Sequence, residues 1–327
     1  MARTVRSRMQ PLRLRIGARF ECNAGGGCCS SIHRLGPVSF AEAERLNRLW
    51  PGLVERSVVG GQLHLKVDGS GRCVALVEGR CSLHEQHGSG AKPIMCRRFP
   101  YGLVATPLGG RVVTSHRCGC RSMGNPPPID EEVAKQSLCD DAGQFILTGE
   151  APVLLRLHDD DVVDFVEYER IEHELLCGLL ECQPPPDVLG LAPTLPQLHG
   201  TDWADVAQRF THLPEQARGS AWAHAVVLFA EALMVLDGAP RFVETEPRPW
   251  QNHFDQLEAE REPKAPEFVL ADWLADVLWG LAWTRRGTLV LGLVEMTTLW
   301  LAAMAITDRL IRAGARPDRA AAEAVMI

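Results

Sequence analysis

The first twenty residues hold no apolar run of the kind that precedes a secretory cleavage site, so the chain lacks the mark of an exported protein. They hold no acid either, beside Arg3, Arg6, Arg8, Arg13, Arg15 and Arg19. Mitochondrial transit peptides share that balance, but the plainer reading is a frayed start that feeds a short strand at 12–16. There is no glycine-rich strand-to-helix turn of the dinucleotide-binding kind, and no Gly-Lys-Ser/Thr follows the glycines of 23–27. A methyl-donor pocket and a phosphate loop are therefore not legible, and glycine at 25–27 reads as backbone wrapped closely around a site. No base-reading motif occurs, and a net charge of −7 excludes a basic face over the whole molecule, so no nucleic-acid partner is expected. Internal repeats of fixed period and low-complexity tracts are also lacking.

What the chain does have is cysteine in clumps. Eleven occur in 327 residues, and eight of them fall between positions 22 and 120: Cys22, Cys28, Cys29, Cys73, Cys81, Cys96, Cys118 and Cys120. With 46% apolar and 23% charged residues the chain can build an ordinary core without disulfides. Without a secretory signal the thiols are expected in a reducing, cytoplasmic setting, where close spacing serves metals or redox chemistry more often than bridges. Thiolates are soft donors and select zinc or an iron–sulfur cluster over magnesium or calcium. Structural zinc prefers two closely spaced pairs, whereas these spacings are irregular. Cys28 and Cys29 are neighbours, which in an extended or turn segment point apart and so suit two ligands of one small ion poorly. A multi-iron cluster offers separate corners to separate thiolates, so an iron–sulfur cluster is the preferred reading and zinc the alternative. Arg72, Arg80, Arg97, Arg98, Arg117 and Arg121 each lie within two residues of one of these cysteines and can favour thiolate over thiol, although any one of them also reads as a solvated loop residue. His84 and His87, and more distantly His33 and His116, are weaker ligand candidates. Cys139, Cys177 and Cys182 stand apart as small hydrophobes.

The spacing predicts an α+β protein. A cysteine-rich, metal-organised domain with short strands spans 1–123, a proline-rich linker spans 124–129, and a mainly helical domain spans 130–327. Ser39-Phe-Ala-Glu42 has the form of a capping box opening a helix to about Trp50. Residues 62–67 alternate like a strand. The stretches 73–77 and 81–84, separated by Glu78-Gly-Arg80, read as a hairpin that faces Cys73 towards Cys81. Residues 85–92 read as loop and 111–114 as strand. Helices are expected from Asp130 to Leu138 and over 161–182, 202–213, 217–236, 266–283 and 287–313. The span 288–306 carries one charge, Glu295, near its middle. With Asp272 and Asp276 on the helix before it, this reads as a buried hairpin rather than a membrane span.

The order Cys22…Cys28-Cys29, Cys73-Val-Ala-Leu, Cys81-Ser-Leu-His and Lys92-Pro93-x-x-Cys96-Arg97-x-Phe99-Pro100 resembles the YkgJ-type cysteine-cluster family, over about residues 20–122. That family is described as zinc- or iron-chelating and includes the flagellin lysine N-methylases. The resemblance implies that Cys22, Cys28, Cys29, Cys73, Cys81 and Cys96 share one cluster. It also implies S-adenosylmethionine as a cofactor and a protein lysine as substrate, although no catalytic residue follows from it. Where the family often has a further cysteine three residues after the first, this chain has Gly25, and Cys118 or Cys120 is the substitute at hand. The competing reading is a non-enzymatic structural or carrier module. Tyr101, directly after Phe-Pro, reads as packed against the domain.

Overall fold

A computed structural model describes residues 11–23, 26–29, 37–56, 61–68, 72–181, 188, 221–236, 248 and 250–327. It is mixed α and β. In chain order it comprises β1 (Leu12–Leu14), α1 (Phe40–Leu49), β2 (Val54–Arg56), β3 (Leu63–Leu65), β4 (Leu76–Val77), β5 (Arg80–Cys81), α2 (Ser82–His87) and α3 (Ile94–Arg98). The sheet strands β6 (Tyr101–Thr106) and β7 (Gly109–Thr114) follow, then α4 (Gly119–Ser122), α5 (Glu131–Leu138), β8 (Gly149–Glu150), β9 (Leu154–Arg156) and β10 (Val162–Asp164). The remainder is helical: α6 (Phe165–Leu180), α7 (Ala221–Leu236), α8 (Gln251–Glu260), α9 (Pro266–Trp279), α10 (Leu289–Arg312) and α11 (Pro317–Met326).

The main sheet has the order β1-β7-β6-β8, with β6 and β7 antiparallel and the outer strands parallel to their neighbours. Its period-2 alternation buries two faces rather than one. Tyr101, Leu103, Ala105 and Val112 pack on Ala134 and Leu138 of α5, whereas Val104 and Val113 pack into a cluster with α6 and α9. A strand covered on both sides has no polar face to display, which explains why β6 is buried at every position. The chain passes the proline-bearing segment 124–129 and returns to this same sheet at β8.

The capping box at the start of α1 forms in both directions, Ser39 Oγ accepting from Glu42 N and Glu42 accepting from Ser39 N at 2.9 Å. Asp130 caps α5 through Val133 N as its position foretold. Other local expectations are corrected. The hairpin at 76–81 is only two residues deep, because Glu78 and Gly79 both take positive φ (50° and 78°) and close a tight turn. Its register sets Leu76 opposite Cys81, while Cys73 bridges Val67 instead. Residues 82–87 form a helix, not a strand and loop, since only Ser82 and Leu83 are buried and the polar residues after them gain nothing from alternation. The helix expected from 161 starts at Phe165, after β10. The one expected to reach 283 stops at Trp279, where Leu281 turns left-handed (φ 54°) so that Trp283 folds back to donate to Tyr168 Oη at 3.0 Å. Helices α8 and α11 and strands β8 to β10 have no counterpart among the elements expected from sequence. The expected helix at 202–213, with His33 and Cys182, lies outside the described residues. Among the described residues α10 is the one helix long and apolar enough to cross a membrane by length and composition; it packs against α7, α9 and α11.

Candidate metal centre

The eight cysteines fall into two groups. In the first, a one-turn 3-10 helix at Gly27–Cys29 sets the Cys28 and Cys29 thiols side by side, and they hydrogen-bond each other. This corrects the expectation that neighbours in an extended or turn segment point apart, because the tight 3-10 turn brings the two side chains to one side. Cys29 O then accepts from Cys73 N at 2.8 Å, which docks the start of the second cysteine segment on the first. Cys81 caps α2 at the end of the hairpin, and Cys96 sits within α3. Glu42, the capping-box acid, also accepts from Ile94 N at 2.7 Å and so ties α1 to the helix that carries Cys96. Burial and two backbone amides act on the same carboxyl in opposite senses, and the amides of Ile94 and Ser39 with the Ser39 hydroxyl hold it below its ordinary range.

These thiols act on one another. The Cys29 hydrogen bond keeps Cys28 below the ordinary thiol range, against burial and Cys22; the same bond pushes Cys29 up, helped by burial and by Cys28, Cys73 and Cys96. Burial pushes Cys96 up, with Cys28, Cys73 and Cys81 adding to it, and raises Cys73 likewise in spite of the Ala75 amide. The cation that favours thiolate at Cys28 and Cys96 is Lys92. Three of the neighbouring arginines are spent elsewhere: Arg97 pairs with Asp141 at 2.6 Å, Arg80 lies 3.6 Å from Glu85, and Arg121 is buried among aspartates. Sequence proximity misassigned them because a long side chain goes where a carboxylate waits, not where the chain numbering is close.

The second group is Cys22, Cys118 and Cys120. Cys118 caps the single turn of α4, which carries Cys120, and Cys120 Sγ lies 2.9 Å from Asn23 Oδ1. The hydrogen bond with Cys118 pushes Cys120 up to about 12, burial adding to it and the bond with Cys22 opposing it. Between the groups stands His253 of α8, which nothing in the local sequence announced. A Cβ on Gly27 would overlap its ring, and a Cβ on Gly119 would lie 3.1 Å from its Nε2. Glycine beside Cys28 and glycine between Cys118 and Cys120 thus leave room for one imidazole from the helical region. His84 and His87 are exposed on α2, and His116 is engaged with Asp276 at 2.9 Å.

Chemically the donor set suits a soft metal. Buried thiols that raise one another's pKa lose that penalty when a cation replaces their protons. Among the described residues no three His, Cys, Asp or Glu side chains are disposed to enclose a single ion, so the thiols are gathered without forming a closed shell. Cys139 bridges Phe145 through its backbone, and Cys177 Sγ lies 3.6 Å from His173 Nε2 on α6, both away from the two groups.

Beneath the second group lies a polar cluster that locks sheet to helix. Asp276 Oδ1 accepts from Arg15 Nε at 2.5 Å, and Oδ2 from Thr114 Oγ1 at 2.6 Å and Arg121 Nη2 at 2.9 Å. Asp272, one turn earlier, binds the same two arginines. Burial pushes Asp272 up, but Arg121, His116 and Arg15 outweigh it and hold the carboxyl at about 2. Asp276 is held well below its ordinary value by the same opposition. Burial and Arg121 together lower His116 in spite of Asp276.

No protein-family model, curated protein or solved structure matches this chain.

Proposed function

We propose that this protein binds an iron–sulfur cluster, with zinc as the alternative, through its two thiol groups. The observation that carries the reading is that cysteines from separate segments, at 28–29, 73 and 96, come close enough to shift one another's protonation, with Cys81 acting on Cys73 and Cys96 and one lysine to offset them. Cys28, Cys29, Cys73, Cys81 and Cys96 would hold the principal metal, and Cys22, Cys118 and Cys120 a second or auxiliary one. A cluster would supply electron transfer or a Lewis-acidic iron; zinc would supply a structural staple. The protein's own part is to gather the donors, lower the Cys28 thiol through its hydrogen bond with Cys29, and hold the Cys96 helix in place through Glu42. The resemblance of Lys92-Pro93-x-x-Cys96-Arg97-x-Phe99-Pro100 to the YkgJ-type family supports the same reading.

Two uses of such a site compete. One is lysine methylation with S-adenosylmethionine, in which the substrate amine attacks as the free base; the other is a structural or carrier module. Of the two acids that line the adjoining cavity, Asp276 already carries Arg15, Arg121, His116 and Thr114. Metal analysis with an ultraviolet–visible spectrum on anaerobically purified protein tests the primary reading. Iron, acid-labile sulfide and broad visible absorption, all lost in a Cys28→Ser, Cys29→Ser variant, are expected. A colourless protein with stoichiometric zinc selects the alternative, and a metal-free protein refutes both. Retention of S-adenosylmethionine on dialysis would favour the enzyme.

A further inference from the structure

Two cavities of about 370 and 340 Å3 open side by side, with Val113, Thr114, Ser115, Arg117 and Thr148 as their common wall. The first runs between β7 and α9 and has Trp273, Val277 and Leu281 on its apolar side. The second lies against α3 and the start of β6, where Arg98 enters. No cysteine lines either cavity.

Three arginines face this joined space: Arg98, Arg117 and Arg285. Elsewhere several buried or half-buried arginines meet carboxylates, as Arg111 does with Glu172 at 2.7 Å and Arg316 with Asp318 at 2.6 Å. Among the described residues half-buried Arg98 and the more exposed Arg117 and Arg285, at the cavity mouth, meet none. Arg98 reaches Met95 Sδ at 3.5 Å, Arg117 reaches the Met326 carbonyl at 3.4 Å, and Arg285 makes no ion pair. The Ser115 hydroxyl on the shared wall is likewise uncommitted, its amide alone being bound, to Pro100 O. Asp276 does not cancel this charge, because Asp272 and Asp276 are matched two against two by Arg15 and Arg121; Glu150 lines only the first cavity, so the joined space keeps three arginines against one further acid. A concave site with an apolar wall and several uncommitted guanidinium donors is complementary to an anion with an apolar body, since the planar fork of arginine matches carboxylate and phosphate oxygens in pairs.

We propose that the joined cavities bind one small amphiphilic anion, a carboxylate or phosphate monoester, with its head between Arg98 and Arg117 and its body along Trp273 and Val277. Calorimetric titration of the full-length protein with sodium octanoate, octyl phosphate, 1-octanol and octylammonium at low ionic strength tests this. Both anions should bind at one per chain, at least tenfold more tightly than the alcohol or the amine, and the tighter of the two names the head group. An Arg98→Gln, Arg117→Gln variant should lose at least tenfold in affinity for the anions and none for octanol. Equal affinity for anion and alcohol, or unchanged anion binding in the variant, overturns the proposal. Should that variant fail to fold, phenylglyoxal modification of the wild-type chain decides. The tighter anion should shield Arg98, Arg117 and Arg285 but leave exposed Arg56 reactive, and uniform reactivity of all four overturns the proposal.

Discussion

Around Asp276 two guanidiniums face two carboxylates, with a histidine and a threonine completing the set; around Cys28 four further thiols face a single lysine. Both regions bury polar chemistry, and they differ in whether the protein itself supplies the compensation. The aspartate cluster is closed, and its acids are held ionised at the junction of sheet and helix. The thiol region is open: its donors are gathered, mostly pushed towards the protonated form, and rest on a small apolar cluster of Val38, Leu46, Leu53 and Leu83 with two-residue strands. A charge set that closes on itself serves the fold, whereas donors held mostly as neutral thiols have no such partners within the protein.

The largest effect should come from opening the closed set. Arg121→Met leaves buried carboxylates short of a partner and should cost about 3–5 kcal/mol in urea unfolding. A loss under about 1 kcal/mol would mean that solvent reaches the cluster and that the two regions are alike. Acid should open it next. A carboxyl depressed in the folded state adds stability above its unfolded value and loses it on the way down, so the Asp272 contribution should fade between its ordinary 3.8 and about 2. That loss is on the order of 2 kcal/mol, and Asp272→Asn should flatten the curve in this window. His116 acts in the same sense at higher pH. Being held neutral, it withdraws stability as pH falls below its ordinary 6.5, and His116→Gln should remove that early slope.

Gly27→Ala probes the seam between the thiol groups. The added methyl overlaps His253, and an overpacking cost of about 1–3 kcal/mol is expected. Faster reaction of Cys28 and Cys29 with a thiol reagent should accompany it, while unchanged reactivity would uncouple His253 from the thiols. Glu42→Ala removes the capping box and the acceptor for Ile94 N, for about 1–2 kcal/mol. Its footprint in hydrogen exchange should stay within α1 and α3. The smallest change is Glu295→Gln, where Arg286 pairs at 2.7 Å on the surface of α10; about 0–1 kcal/mol is expected.

Local signals were read well where the chain speaks to itself. Ser39 and Glu42 lie one helical turn apart, Asp130 precedes its helix, and Leu12–Leu14 and Gly109–Thr114 are strands as their residues foretold. Legibility weakened where a partner far along the chain decides. Residues 82–87 take their conformation from what Leu83 packs on, Gly27 and Gly119 are explained by a histidine more than a hundred residues on, and Arg121 answers to Asp272 and Asp276. Lys92 rather than an arginine stands by the thiols, a choice no spacing rule reveals.

By itself the sequence determined the α+β composition, the helix starts fixed by caps, and the concentration of soft donors before position 121, because these depend on residue type and on neighbours within a turn. Only the tertiary structure decided that eight cysteines divide five and three, that Asp272 and Asp276 neutralise Arg15 and Arg121, and that Arg98, Arg117 and Arg285 are left without carboxylates. Electrostatic partnership depends on distance in space, and residues brought together by a sheet covered on both faces are remote in the chain.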